Sequence, residues 1–313
     1  MDTKIDIICV GEVLIDFIGH ELDTLQNTKD FHRFLGGSPT NVAVNASRLG
    51  LNTALVATSG SDGLGAYIIQ KLEKSKVITT QIRKSLSKPT SVIFISRSTQ
   101  TPDFIPFREA DCEILEDQIP DALLANAKIF HTTCFALSKE PARSTILNRA
   151  HKAKSLGLQL SIDINYSEKI WPNRYEAHQV LKDYLSNNPL VKVSEDDCFR
   201  LFGEMKKEQE IFDYFHNLGV STICLTKGKD GVKLSDKATG VFSQQALSIK
   251  DVKDTTGAGD AFWTGFLFAK LQQKNLEDCL SIAQKLASIK LQHVGRLPEH
   301  VNIIDELLHN NTH

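Results

Sequence analysis

The stretch of this sequence best suited to chemistry is a glycine-rich turn that ends in an aspartate. Residues 254–260 read DTTGAGD and lead into the apolar segment 261–271, whose composition predicts a buried helix. The first N–H groups of a helix have no intrahelical acceptor and lie at the positive end of its dipole, so such a turn can bind an anion. A carboxylate at this position, Asp260, is placed to act as a base next to a phosphate.

A simpler interpretation of the same stretch is a capped helix. Aspartate near a helix N-terminus is a routine cap, and glycine before a helix is a routine turn residue. A lone Gly-x-Gly-Asp favours that interpretation. Here the Asp-Thr-Thr entry, two glycines with only Ala258 between them, and a helix that is apolar on all sides occur together. This combination favours a base beside an anion site.

Three other segments carry polar groups in places where a ligand could bind. Gly36 and Gly37 allow close backbone approach before the helical segment 42–50, although Ser38 or Thr40 could simply cap that helix. Asn41 could offer its amide to sugar hydroxyls from the helix start. Asp16 lies in the alternating segment 12–18, where the pattern alone favours an exposed strand face.

A second glycine turn follows the predicted strand 222–226. Thr226, Gly228 and Gly231 lie at the end of that strand, and a plain hairpin is the simpler interpretation of the spacing. The turn is not a Walker loop, because position 223 is Ile and position 230 is Asp. No dinucleotide fingerprint follows the first predicted strand.

Composition limits the class of protein. A net charge of −2 over 313 residues argues against nucleic acid or an anionic membrane as the main partner. No apolar run approaches the length of a membrane span, and the N-terminus lacks the features of a signal peptide, so a cytoplasmic enzyme is expected. The six cysteines form no Cys-x-x-Cys pair, which predicts free thiols in a reducing compartment.

The order of apolar segments predicts an α/β fold. Predicted strands alternate with helices along most of the chain, which is typical of a mostly parallel sheet covered by helices on both faces. They cover residues 5–10, 53–58, 127–131, 158–163, 190–193 and 222–226. Ligands bind beyond the carboxyl ends of such strands, where Asp163, Thr226 and the 257–260 turn are expected. Residues 77–82 are also β-rich, and segments 12–34 and 88–111 lack helices, which predicts a small sheet inserted into a single domain of residues 1–313.

Together these segments resemble the ribokinase-like (PfkB) carbohydrate kinases. Residues 36–43, GGSPTNVA, are similar to the N-terminal motif of that family, and residues 254–262 are similar to its more specific C-terminal motif. The resemblance covers nearly the whole chain and is greatest to fructokinases. The supporting stretches are 11–16 (GEVLID), 107–111 (FREAD), 130–131 (FH), 163–166 (DINY), 171–172 (WP) and 191–195 (VKVSE).

The resemblance implies a role for each motif. Asp260 would be the base, and the N–H groups of Gly257, Ala258 and Gly259 would hold the transferring phosphoryl group. The implied sugar-binding residues are Asp16, Gly36, Gly37, Asn41, Arg108 and Asn165. The implied nucleotide-binding residues are Ser194, Thr226, Gly228, Gly231, Gly257 and Gly259. Carbonyls of Asp254 and Thr256 would bind a monovalent cation such as K⁺, and Asp197 is the candidate contact for Mg²⁺.

The implied activity is ATP-dependent transfer of the γ-phosphoryl group to a primary hydroxyl of a monosaccharide, with fructose as the expected acceptor. ATP, Mg²⁺ and K⁺ would be the cofactors. The inserted sheet would close over the sugar as a lid and would also be the contact surface of a homodimer. Two positions differ from the family pattern: Ser167 replaces an arginine of many relatives, and Asp197 replaces a glutamate. A kinase of 2-keto-3-deoxygluconate, of another sugar or of a nucleoside is also compatible with the resemblance, as is a non-catalytic sugar or nucleotide sensor.

Overall fold

The computed structural model describes residues 4–97, 103–249, 251–293, 297–298 and 307. Within these residues the strands are β1 (Ile5–Val10), β2 (Leu14–Gly19), β3 (Phe31–Gly36), β4 (Thr53–Gly60), β5 (Ile82–Ser85), β6 (Val92–Ile95), β7 (Phe104–Phe107), β8 (Ala127–Thr133), β9 (Gln159–Asp163), β10 (Leu190–Ser194), β11 (Thr222–Thr226), β12 (Val232–Asp236) and β13 (Gly240–Gln244). The helices are α1 (Ser38–Arg48), α2 (Gly63–Lys74), α3 (Asp121–Ala125), α4 (Ala142–Ser155), α5 (Arg174–Leu185), α6 (Glu195–Phe202), α7 (Glu208–Asn217), α8 (Ala258–Leu271) and α9 (Leu276–Leu291).

A nine-stranded sheet forms the centre of the molecule, in the order β13-β12-β11-β10-β9-β8-β1-β4-β5. All neighbours from β11 to β5 are parallel, and β12 and β13 extend the sheet as antiparallel strands. Strands β1 and β4 are almost entirely buried, as expected for apolar strands covered on both faces. The predicted mostly parallel α/β sheet is therefore confirmed.

Helices cover both faces of this sheet, as the sequence predicted. Helices α4 to α7 belong to one apolar cluster, whereas α1, α2, α8 and α9 belong to the other. Helix α8 is buried throughout residues 260–269, which confirms the expectation from its composition. Its Trp263 Nε1 donates a hydrogen bond of 2.9 Å to Ser161 Oγ on β9, so the helix is fastened directly to the sheet.

A separate four-stranded sheet, in the order β3-β2-β6-β7, comes from the two early helix-free regions. The β2–β3 and β6–β7 pairs are antiparallel, and β2–β6 is parallel. Phe94 holds it together, with ring centroids 5.1–5.9 Å from Phe17, Phe31 and Phe107. A small inserted sheet is therefore present, while its action as a lid and as a dimer contact stays a prediction.

Several boundaries differ from those predicted. The β-rich segment 77–82 is mostly not strand: Ile78 forms a single bridge to Ala54, and β5 begins only at Ile82. Helix α8 begins at Ala258, so Gly259 and Asp260 lie in its first turn and not before it. All six cysteines are buried and free, as predicted. Among the described residues, no helix is both long and apolar enough to cross a membrane.

Candidate active site

The carboxylate of Asp260 is bound by the start of α1, not by its own helix. Asp260 Oδ1 accepts a hydrogen bond of 2.6 Å from Ser38 Oγ, and Oδ2 accepts one of 2.8 Å from Asn41 Nδ2. The residue before α8 is Gly257, in the left-handed conformation, and no side chain caps the helix there. The interpretation of Asp260 as a cap is therefore wrong. Neither does Ser38 cap α1, since its hydroxyl is directed at Asp260.

The surroundings of Asp260 set its basicity. The residue is 9 % exposed, and burial raises the pKa of its carboxyl group above the usual range for aspartate. The two hydrogen bonds and the ammonium groups of Lys192 and Lys290 oppose this rise. A carboxylate with a raised pKa is a stronger base than one exposed to water, which suits proton abstraction from a hydroxyl.

The turn that presents Ser38 and Asn41 is held by a buried glutamate that the sequence analysis missed. Glu12 Oε1 accepts a hydrogen bond of 3.1 Å from Ser38 N, and the backbone carbonyl of Glu12 accepts one of 3.0 Å from Thr40 Oγ1. Burial raises the pKa of Glu12 to about 8. Gly37 has φ 101° and a Cβ there would lie 2.3 Å from Glu12 O, so only glycine fits. The sequence feature that could have indicated this role is the position of an acidic residue, Glu12, between the apolar residues Val10 and Val13.

Asp16 and Asn41 line one pocket, next to the turn before α8. Residues around it include Asp16, Phe34, Asn41, Asn45, Asp254 and Thr256. Asp16 is half-buried and is not on an exposed strand face, contrary to the interpretation from the pattern alone. Its carboxylate lies directly over Gly36, where a Cβ would be 2.3 Å from Oδ2. The absence of a side chain at Gly36 therefore leaves the space in which Asp16 can face the pocket.

This contact predicts the effect of Gly36→Ala. The added methyl group must displace the Asp16 carboxylate, and misplacement of a binding group by about 1 Å can cost about 100-fold in rate. We expect kcat/KM for the sugar to fall at least about tenfold. The matched control is Gly63→Ala, because nothing lies within 4 Å of a Cβ at that position. Steady-state kinetics measure kcat/KM for both variants. A wild-type value for Gly36→Ala, as for Gly63→Ala, would contradict the role of Asp16.

Arg108 and Asn165 are not among the described residues that line this pocket. Arg108 donates to Asp111 Oδ2 at 2.6 and 2.9 Å and stacks 4.1 Å from the ring centroid of Phe135. Asn165 is exposed just beyond β9, with φ 29°. Their contact with sugar therefore stays a prediction.

Four of the six residues predicted to bind nucleotide lie at the carboxyl edge of the sheet, whereas Gly257 and Gly259 lie at the start of α8. Ser194 and Thr226 are neighbours in register at the ends of β10 and β11. Gly228 and Gly231, both with positive φ, turn the chain into β12, which pairs antiparallel with β11. The turn is thus a hairpin, as the simpler interpretation held, and it lies at the edge where ligands of such sheets bind. Nucleotide binding by these residues stays a prediction.

A buried lysine lies beneath the first turn of α8, and the sequence analysis gave it no role. Lys192 Nζ is 2.8 and 3.0 Å from the two carboxylate oxygens of Asp163, and 3.0 Å from where a Cβ on Gly259 would be. Burial acts to lower the pKa of Lys192, but the carboxylates of Asp163 and Asp197 outweigh it and raise the pKa. Lys192 is therefore a fixed positive charge close to the predicted anion site at the start of α8. The sequence feature that could have indicated a role for Lys192 is its position within an otherwise apolar strand.

Two of the three predicted metal contacts, Asp197 and Asp254, already have partners within the protein. Asp197 Oδ2 accepts hydrogen bonds of 2.6 and 3.0 Å from Ser194, and Oδ1 accepts one of 3.2 Å from Arg200. Asp254 is paired with Lys290, whose Nζ lies 3.3 Å from Oδ2 and 3.4 Å from the carbonyl oxygen. The described part of the chain holds no group of three or more His, Cys, Asp or Glu side chains that could bind a metal.

A parallel α/β sheet with a buried carboxylate beside a helix start, at the edge where ligands of such sheets bind, suits phosphoryl transfer to a hydroxyl. The model of the pfkB family of carbohydrate kinases matches residues 4–299, and the chain belongs to this family. The predicted family is confirmed.

Relatives agree with this assignment. The chain is 32 % identical over 297 residues to the ATP-dependent 6-phosphofructokinase of Thermoanaerobacterium thermosaccharolyticum, covering 95 % of this chain and 91 % of that protein. The fructokinase of Halothermothrix orenii superposes with a TM-score of 0.80 at 35 % identity, over 89 % of this chain and 96 % of that one. An uncharacterised sugar kinase from Pyrococcus horikoshii, solved in complex with ATP, has a TM-score of 0.82 at 28 % identity, over 96 % of this chain and all of that one.

Proposed function

We propose that this protein is an ATP-dependent sugar kinase that phosphorylates the terminal primary hydroxyl of fructose and forms fructose 6-phosphate. The observation that carries the proposal is the buried carboxylate of Asp260, in the first turn of α8 and beside the pocket that Asp16 lines. The similarity to a fructokinase at 35 % identity supports fructose as the acceptor.

In the proposed reaction, Asp260 accepts the proton of the sugar hydroxyl while the oxygen of that hydroxyl forms a bond to the γ-phosphorus. The bond from that phosphorus to the bridging oxygen of ATP breaks, and ADP leaves. The N–H groups at the start of α8 stabilise the charge on the transferring group, and Lys192 adds a positive charge beneath them. Ser38 and Asn41 hold the carboxylate in position through their two hydrogen bonds.

Asp260 also separates this proposal from a non-catalytic sensor. A sensor would need the pocket but not a buried carboxylate oriented by two donors. Burial of an ionised carboxylate is unfavourable, and carboxylates with shifted pKa values cluster at functional sites, which favours a catalytic role for Asp260.

We place ATP along the edge formed by Ser194, Thr226, Gly228 and Gly231, and the solved ATP complex of a relative supports a nucleotide in this fold. When bound, Mg²⁺ would neutralise phosphate charge. Both oxygens of Asp197 already accept hydrogen bonds, which makes it a poor direct ligand for the ion. Mg²⁺ in kinase sites is held largely by phosphate oxygens and water, and the nucleotide would supply most of its ligands here.

Fructose 6-phosphate is the second candidate acceptor, because one relative is a 6-phosphofructokinase. A phosphorylated sugar needs a cationic partner for its phosphate. Among the described residues that line the pocket, the charged ones are Asp16, Asp254 and Lys290, and Lys290 is paired with Asp254. This arrangement favours an uncharged sugar. The remaining candidate acceptors are 2-keto-3-deoxygluconate, a further sugar and a nucleoside.

ADP release from a panel of acceptors tests the proposal. We expect fructose to give the highest kcat/KM with ATP and Mg²⁺, and its product to be identified as fructose 6-phosphate by ³¹P NMR. The panel includes fructose 6-phosphate, 2-keto-3-deoxygluconate, ribose and adenosine. A higher kcat/KM for any of these would replace fructose as the substrate. Sugar binding without ADP release from any of them would favour a sensor.

A further inference from the structure

The position expected to hold a monovalent cation is occupied by a side chain of the protein itself. Lys290, on α9, is 3 % exposed, and its Nζ lies 3.4 Å from the carbonyl oxygen of Asp254 and 3.3 Å from Asp254 Oδ2. A third oxygen, the carbonyl of His293, lies 3.1 Å away. An ammonium group has three donors, so these three oxygens match what Lys290 can donate.

A potassium ion does not fit this arrangement. The carbonyl of Asp254 is one of the two oxygens predicted to bind the ion, and it already lies beside a positive charge. A second cation bound to the same oxygen would be repelled by the ammonium group at close range, where the surrounding burial weakens screening. Thr256 and Gly257 line the same pocket as Lys290, so the ammonium group lies next to the turn that leads into α8.

We propose that Lys290 supplies the positive charge that orients the turn before α8, and that this protein therefore works without a bound potassium ion. The side chain is a positioning residue. It holds the carbonyl of Asp254 towards itself, which fixes the turn that leads into α8. The lysine also stays in place at all salt concentrations, since α9 carries it.

The side chains around Lys290 agree with a fixed position. Its ion pair with Asp254 is shielded, with side-chain exposures of 3 % for Lys290 and 17 % for Asp254. Its Cε lies 3.8 Å from where a Cβ on Gly257 would be, so the chain of Lys290 packs directly against the turn. A surface lysine would make no such contacts, and its ion pair would contribute little.

Replacement of the cation in the assay buffer gives the first test. Wild-type protein is assayed in KCl, NaCl and choline chloride at equal ionic strength. We expect kcat/KM to differ by less than about twofold among the salts, because the charge is built in. Activation by K⁺ of about fivefold or more over choline would overturn the proposal. The kinetic part rests on the sugar kinase activity proposed above.

Removal of the side chain gives the second test. Lys290→Ala is expected to lose at least about tenfold in kcat/KM in choline chloride, since loss of a group that organises an anion site has effects of this order or larger. K⁺, NH₄⁺ or methylammonium should restore most of that loss by entering the vacated space. An equal loss in all salts would show a merely structural role and contradict the proposal. Lys274→Ala, which removes an exposed lysine just after α8, is the control.

Thermal unfolding separates this proposal from the proposed function, because it needs no substrate. The Tm of the wild type should be the same in K⁺ and choline, whereas the Tm of Lys290→Ala should rise with K⁺ or NH₄⁺ concentration. If the alanine variant does not fold, Lys290→Gln serves in its place. A salt-independent Tm of the variant would contradict cation replacement even if no kinase substrate had been found, and a failed substrate panel would leave this result intact.

Discussion

Asp260→Asn is expected to lower kcat by about 10²–10⁴-fold, the range for removal of a general base. The amide has the shape of the carboxylate but cannot take a proton from the sugar hydroxyl. Because Asp16 and Asn41 remain in place, KM for the sugar should change much less than kcat. Steady-state kinetics with fructose measure both quantities, and near wild-type turnover would remove Asp260 from the role of base.

The matched control is Asp278→Asn. Asp278 is the third residue of α9, as Asp260 is the third residue of α8, but its side chain is exposed and the helix is capped by Asn275. Both variants lose one negative charge from the first turn of a helix. A comparable fall in kcat for Asp278→Asn would show that the effect arises from helix electrostatics and not from proton transfer.

The raised pKa of Asp260 gives this prediction a pH dependence. The base acts only when it is ionised, so kcat should fall as pH decreases through a value above the ordinary range for aspartate. The sign for stability is the opposite: a carboxyl group with a raised pKa in the folded state favours folding when it is protonated, and this contribution is lost as pH rises through that pKa. Removal of the charge in Asp260→Asn should therefore leave Tm unchanged or raise it at neutral pH.

Lys192→Met is expected to destabilise the fold by about 3–5 kcal/mol, because it leaves the carboxylate of Asp163 buried without its partner. The two side chains are 7 % and 3 % exposed, so water cannot replace the lost contact. Denaturant unfolding followed by circular dichroism measures the loss. A change below about 1 kcal/mol would mean that the pair has no more effect than an ion pair on the surface.

A surface pair of the same kind provides the comparison. Lys128 and Asp6 lie 2.7 Å apart on neighbouring strands, close to the 2.8 Å of the buried pair, but Lys128 is 55 % exposed. Lys128→Met should therefore cost no more than about 1 kcal/mol. In the double variant Lys192→Met with Asp163→Asn, part of the lost stability should return, because neither charge is left unpaired. Simple additivity of the two single changes would contradict direct coupling.

Most of the fold follows from the sequence because each element satisfies a local rule. Apolar strands alternating with helices give a parallel sheet, and the apolar composition of 261–271 gives a buried helix. The errors are at element boundaries. The sequence before Ile82 is rich in β-formers, yet only Ile78 finds a partner strand, since strand formation depends on neighbours more than on local preference.

The sequence predicted which residues belong to the candidate site, but it did not predict which of them contact one another. Asp260, Asn41 and Asp16 stand out by type and spacing, and the resemblance to a family assigned them roles. Ser38 was interpreted as a cap because capping is a local rule, whereas its actual partner lies in another part of the chain. Lys192 and Lys290 gave only weak signals for the same reason. Their partners are brought close by the fold, and the spacing of residues along the chain does not predict these contacts.

The length of chain between Asp260 and its partner Ser38 has a consequence for protein synthesis. Ser38 and Asp260 are separated by 222 positions, and at a translation rate of about 5–20 residues per second Asp260 leaves the ribosome about 11–44 s after Ser38. Throughout that interval the nascent chain carries Asp16, Gly36 and Asn41 without the carboxylate of Asp260. A product released before position 260 therefore contains the start of α1 but lacks the carboxylate that Ser38 and Asn41 bind, so the pocket is completed only late in synthesis.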